Sequence, residues 1–121
     1  ELIYAENNKL PYASIKNKTG QFVKPTIETV TAAAAGALKT IPDDFRVSIT
    51  NADGKVSYPI SGFTYLLVWQ KQGREKGEKL VSFLKWAIKD GQRLASKLTY
   101  APLPSALVKK VENKVASIEL Q

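Results

Sequence analysis

The chain has 121 residues, 44% of them hydrophobic and 24% charged, with a formal net charge of +7. That is the size of one ordinary domain, and the composition is that of a globular protein rather than a disordered one. Cysteine and histidine are both absent, which excludes disulfides, thiolate metal sites, cysteine nucleophiles, a Ser-His-Asp triad, a histidine base and the usual zinc sites.

No apolar run is long enough to span a bilayer, since Leu66 to Trp69 is followed at once by Gln70 and Lys71. The first residue is Glu1, with neither a methionine nor a basic start and apolar core before it. It is read as an internal or processed end. The charge is unevenly spread: Lys71 to Lys97 holds eight bases against Glu75, Glu78 and Asp90, so it carries +5 of the total.

In chain order, Leu2 to Asn8 reads as a short helix closed by Asn7-Asn8 and Pro11. Tyr12 to Lys16 alternates like a strand, Asn17-Lys-Thr-Gly20 is a turn, and Gln21 to Lys24 is the return strand of a small hairpin. Asn17-Lys18-Thr19 matches a glycosylation sequon, but turn chemistry explains it as well. Pro25-Thr26 opens a helix with Thr26 as N-cap and Glu28 in its first turn, where the helix dipole favours an acid. Ile27, Val30, Ala34 and Leu38 recur at helical spacing, Ala32 to Ala35 permits close packing, and Gly36 weakens the end.

Pro42-Asp43-Asp44 is a break. Arg46 to Thr50 and Lys55 to Tyr58 have strand composition about an Asn51-Ala-Asp-Gly54 turn. Tyr58-Pro-Ile-Ser-Gly62 then leads into Phe63 to Trp69, a run apolar on both faces, which reads as a buried strand covered on both sides. Gln70 to Gly77 is a charged connection.

A clear amphipathic helix follows, with Leu80, Phe83, Leu84, Ala87, Ile88 and Leu94 on one face and Asp90-Gly91 as a kink or split. Tyr100-Ala-Pro-Leu-Pro104 is a linker, and Pro104 suits the first position of a last helix striped by Leu107, Val108, Val111, Val115 and Ile118. A doubly covered strand needs sheet neighbours, and nothing after Trp69 supplies one. Its partners must come from the weaker strands before it or from residues outside this chain.

Several features invite a chemical reading. Lys85, Lys89, Arg93 and Lys97, spaced by four, form a basic ridge suited to nucleic acid or an anionic membrane surface, although a solvated helix face is the favoured explanation. Trp69 and Trp86 lie in apolar runs and read as packing residues rather than sugar platforms. Asp43-Asp44 reads as a turn or cap, and Glu75 and Glu78 as dipole compensation at a helix start. The phosphate-cradling Gly-x-x-x-x-Gly-Lys pattern is absent. Ser61, Gly62 and Thr64 could face a ligand cleft, or simply permit close backbone approach.

The succession Glu1-Leu-Ile-Tyr-Ala-Glu-Asn-Asn, Pro25-Thr-Ile-Glu, Tyr58-Pro-Ile-Ser-Gly-Phe-Thr, Phe83-Leu-Lys-Trp-Ala and Tyr100-Ala-Pro-Leu-Pro resembles the C-terminal part of periplasmic phosphate-binding proteins. These are the substrate-binding subunits of phosphate ABC transporters. The resemblance implies an α/β fold: the C-terminal portion of a two-lobe type II periplasmic binding protein, incomplete on its own. It assigns residues 1–58 to the second lobe, 59–69 to an inter-lobe crossing strand and 70–121 to the helical completion of the first lobe. Tyr58, Pro59, Ile60, Ser61, Gly62, Phe63 and Thr64 become the crossing and hinge.

Phosphate contacts in that family lie in upstream segments that no position here matches, so none is expected in this chain. The implied partners are inorganic phosphate in the intact protein, the missing N-terminal part and the transporter's membrane subunits. No cofactor, no catalysis and no nucleic acid are expected. A small basic nucleic-acid-binding module using the ridge is the competing reading.

Overall fold

The computed structural model describes residues 1–121. Leu2–Asn7 forms the first helix, α1, followed by a two-stranded antiparallel hairpin of β1 (Ile15–Lys16) and β2 (Phe22–Val23). Ile15 lies opposite Val23 and Lys16 opposite Phe22, as the alternation predicts. Asn17 in the hairpin turn is buried. Its Oδ1 accepts from the backbone N of Thr19 at 3.0 Å, the Thr19 hydroxyl at 2.8 Å and the backbone N of Gln21 at 3.1 Å. Its Nδ2 reaches across the chain to the carbonyls of Lys55 at 3.0 Å and Ser57 at 3.2 Å. The sequon asparagine is thus a turn former and a long-range tie, with its amide fully engaged.

α2 spans Ile27–Gly36 and begins at Thr26, whose hydroxyl accepts from Thr29 N while the Thr29 hydroxyl accepts from Thr26 N, closing a capping box. At its other end Gly36 passes so close to the Asp53 carbonyl that a Cβ would collide with backbone. The strands expected at Arg46 to Thr50 and Lys55 to Tyr58 do not form. Their backbone groups are satisfied in other ways: Asn51 N donates to Pro59 O at 2.8 Å, Tyr58 N to Thr29 O at 3.0 Å, and the 55 and 57 carbonyls accept from Asn17. A buried backbone that finds side-chain and irregular partners has no need of a ladder.

The second half contains a pairing that the sequence does not announce. β3 (Lys71–Gln72) runs parallel to β4 (Glu119–Leu120), the last strand of the chain. Between them lie α3 (Arg74–Ile88), α4 (Gln92–Ala95), one 3-10 turn at Ser96–Leu98, and α5 (Ser105–Ala116). Parallel strands joined through helices are the α/β crossover arrangement, so the mixed helix and sheet content agrees with that class. The helix splits at Asp90-Gly91 as expected, whereas Pro104 is the N-cap of α5 rather than its first residue. Gly77 is buried where α3 meets the parallel pair: a Cβ there would lie 2.7 Å from Gln72 Cβ and 2.5 Å from Leu120 Cδ2.

Two apolar clusters hold the chain together. The first joins Ala34, Ala37, Ile41 and Ile49 to Leu107 of α5, with Leu103 and Phe63 against it. The second joins Leu84 and Ile88 of α3 to Val115 of α5, with Leu80, Val68 and Ile118 against it. Val111 touches both, so α5 is the pin between them. The core is small, with 15 of 121 residues buried, and much apolar surface stays in water. Phe83 and Leu94, expected on the buried face, are 53% and 46% exposed.

Candidate functional site

The segment Tyr58 to Trp69 passes from a tightly held approach to an unsupported run. Tyr58 N is bonded to α2 through Thr29 O, Pro59 O accepts from Asn51 N, and the Ser61 hydroxyl donates to Tyr58 O at 2.8 Å. Pro59 and Ser61 are buried. Immediately before them Ser57, also buried, donates its hydroxyl to Asp53 O at 2.8 Å. Ile60 is exposed, and at Gly62 the surroundings open, with no atom within 4 Å of where a Cβ would stand.

Phe63 to Trp69 does not form the buried strand that its composition predicts. It has no ladder partner until Gln70, whose carbonyl accepts from Glu119 N at 2.9 Å. Phe63 meets the first cluster and stacks edge-on with Tyr65 at 6.1 Å, and the Tyr65 hydroxyl donates to Val47 O at 2.9 Å. Val68 reaches the second cluster. The side chains on either side of Val68 face water: Leu67 is 96% exposed and Trp69 85%. The physical reason is the one its composition foreshadowed, because a strand apolar on both faces is buried only between neighbours, and this chain provides one short neighbour at one end. Beneath the segment lies a cavity of about 670 Å³, bounded by the run itself, α3, α5 and the Tyr100–Leu103 linker, and mostly apolar.

Of the expected crossing residues, the structure therefore brings Tyr58, Pro59 and Ser61 into a bonded, partly buried knot, and leaves Ile60, Gly62 and Thr64 exposed with Phe63 half-buried. The Lys85, Lys89, Arg93, Lys97 ridge does not survive as one helix face. α3 ends at Ile88, Lys89 is its C-cap, Arg93 lies in α4 and Lys97 in the 3-10 turn. Lys89 Nζ pairs with Glu112 at 2.9 Å and Arg93 with Asp90 at 2.6 Å, so two of its four charges are matched.

The tryptophans expected to pack inside are instead among the exposed large side chains. Asp44 is the predicted turn carboxylate. It accepts from Arg46 N at 3.1 Å and from the Arg46 guanidinium at 2.7 Å, and these bonds, the backbone one first, hold its carboxyl below the usual range. Glu75 pairs with Lys79 at 2.9 Å in the first turns of α3. No group of three or more Asp or Glu side chains is arranged to hold a metal ion, and no helix is long and apolar enough to cross a membrane.

No family profile matches the chain. Individual curated proteins do. The Phosphate-binding protein PstS of Xylella fastidiosa strain 9a5c is 39% identical over 119 residues, which is 97% of this chain and 32% of that protein. PstS of Pasteurella multocida is 36% identical over 93% of the chain and 33% of its own length. PstS of Methanocaldococcus jannaschii is 41% identical over 77% of the chain and 27% of its own length. These relatives are named as binding proteins, not as enzymes. The chain is a relative of the PstS phosphate-binding proteins, matched along nearly all of its own length and spanning about a third of theirs.

Proposed function

We propose that the chain is the C-terminal portion of a periplasmic phosphate-binding protein that delivers inorganic phosphate to an ABC importer, and that this portion supplies hinge and scaffold rather than ligand contacts. The observation that carries the reading is the similarity over 97% of the chain to a protein of which the match covers 32%. The open strand agrees with it. Residues 63–69 have no strand partner, and after a bend at Gln70 the chain enters a parallel pair at Lys71–Gln72. Parallel sheets occur almost only covered on both faces and with more than two strands. A polypeptide about three times as long has the material to complete such a sheet.

In this reading residues 1–58 belong to the second lobe, 59–69 cross between lobes and 70–121 complete the first. Tyr58, Pro59 and Ser61 form the fixed end of the crossing, and Gly62, free of neighbours, is where the backbone can turn. Lobe closure of this kind is absorbed by a few residues at element ends. Leu103 and Leu107 lie against Ala34, Ile41 and Ile49, and Lys110 Nζ donates to Ile41 O at 3.2 Å. In this reading these contacts join the parts of the chain assigned to the two lobes, and lobe closure would act on them. The basic ridge supports no second reading, since Lys89 and Arg93 are already paired.

Calorimetric titration with inorganic phosphate tests the proposal. The parent polypeptide binds, and the 121-residue chain alone shows no heat of binding. Saturable phosphate binding by the isolated chain would contradict the scaffold role.

A further inference from the structure

α3 has a second apolar surface that the chain leaves about half in water. Its inner face, Leu80, Leu84 and Ile88, packs on α5. Trp86 projects from the other side and Phe83 from the flank between, 47% and 53% exposed, their ring centres 5.9 Å apart. At 100° per residue Trp86 lies about opposite the buried stripe, so no adjustment of the α3–α5 contact could shelter both. Glu78, Lys79 and Ser82 flank the aromatic pair around a shallow cleft.

Lys79 is matched by Glu75, and Phe83 and Trp86 themselves are uncharged. The face therefore lacks the net basic character that nucleic acid or an anionic membrane would need. Aromatic pairs of this kind carry large contact area at interface centres and seldom stay in water.

We infer that the Phe83–Trp86 face of α3 is an internal packing surface, covered by the part of the parent polypeptide that precedes this chain, so that α3 is enclosed on both sides in the whole protein. This rests on the reading given under Proposed function. Two further observations favour that occupant over a separate partner. The matched relatives are about three times as long as the chain. The face also sits on the same helix whose inner residues hold Val68 of the open strand, so whatever completes the sheet on residues 63–69 arrives beside α3.

The test uses the two tryptophans, the only ones in the chain. In a Trp69→Phe background, Trp86 reports alone. Its emission maximum and iodide quenching are measured for the chain by itself and for the chain co-expressed with a tryptophan-free version of the preceding polypeptide. The expected result is a blue shift, with quenching reduced about threefold or more, as for a half-exposed ring enclosed in a dry contact.

A complex that binds phosphate while Trp86 stays as quenchable as in the free chain overturns the inference and leaves the functional reading standing. Failure to form any complex overturns both. If Trp86 is already shielded in the chain alone in a concentration-dependent way, the occupant is a second copy and the inference is wrong. Phe83→Ser provides the independent check: it should weaken the complex at least about tenfold by removing one central aromatic anchor, while the circular dichroism of the free chain is unchanged. Unaltered affinity would contradict the proposal.

Discussion

Asn17 does more than any other single side chain to fix the first third of the molecule. A buried amide that satisfies carbonyls 38 and 40 residues away, while its oxygen serves three donors in its own turn, is costly to lose. Asn17→Ala strands several buried groups at once and should lower stability by about 2–3 kcal/mol, read as a reduced urea midpoint with an unchanged slope. Asn17→Asp fails similarly, because a carboxylate cannot donate to the Lys55 and Ser57 carbonyls.

Asp44 gives the pH dependence its sign at this scale. Its carboxyl is held down by the Arg46 backbone N–H and then by the Arg46 side chain. Its contribution is therefore fully present above the unfolded carboxylate pKa and lost as the pH falls through the lower folded value. Acid titration of Asp44→Asn should show a smaller loss of stability in that window than the wild type. The turn role of Asn17 was legible in the sequence through Asn-Lys-Thr-Gly. Its distant partners were not, because a turn signal contains nothing about the loop it will meet.

Among the elements, α5 is the one on which the others depend, since Leu107 enters one cluster, Val115 the other, and Val111 both. Leu107→Ala, at a residue 2% exposed, should cost about 2–4 kcal/mol by opening a cavity in the first cluster, measured by thermal or chemical denaturation. Residues 63–69 predict the reverse. Leu67→Lys changes a side chain that is almost wholly in water, so the isolated chain should keep its stability within about 0.5 kcal/mol. The same substitution should abolish assembly with the preceding polypeptide, where that side chain would be buried.

Helices were the legible part of this fold: α2 from its cap and alanine run, α3 and α5 from apolar spacing, the break from Asp90-Gly91. The parallel pair was not legible, because Lys71–Gln72 and Glu119–Leu120 are two-residue strands of mixed polarity, 48 positions apart. Burial of 63–69 was inferred from composition, and the composition describes a sheet that this chain alone does not build.

At the scale of the whole molecule, the proposed reading accounts together for the small core, the unpaired run 63–69 and the exposed side of α3. The resemblance to phosphate-binding proteins is legible in the sequence because it rests on five ordered segments spread from Glu1 to Pro104. The resemblance names Tyr58 to Thr64 as the crossing, and the structure adds that bonds with Thr29, Asn51 and Ser61 hold Tyr58 and Pro59 while space is open beside Gly62.

The most direct measurement is reconstitution. The 121-residue chain and the preceding two thirds of the parent are expressed as separate polypeptides, mixed or co-purified, and titrated with inorganic phosphate. The account predicts a one-to-one complex that binds phosphate where neither piece does alone, with binding lost on Leu67→Lys. It is contradicted if the preceding piece binds phosphate equally well without this chain, or if the two pieces do not associate.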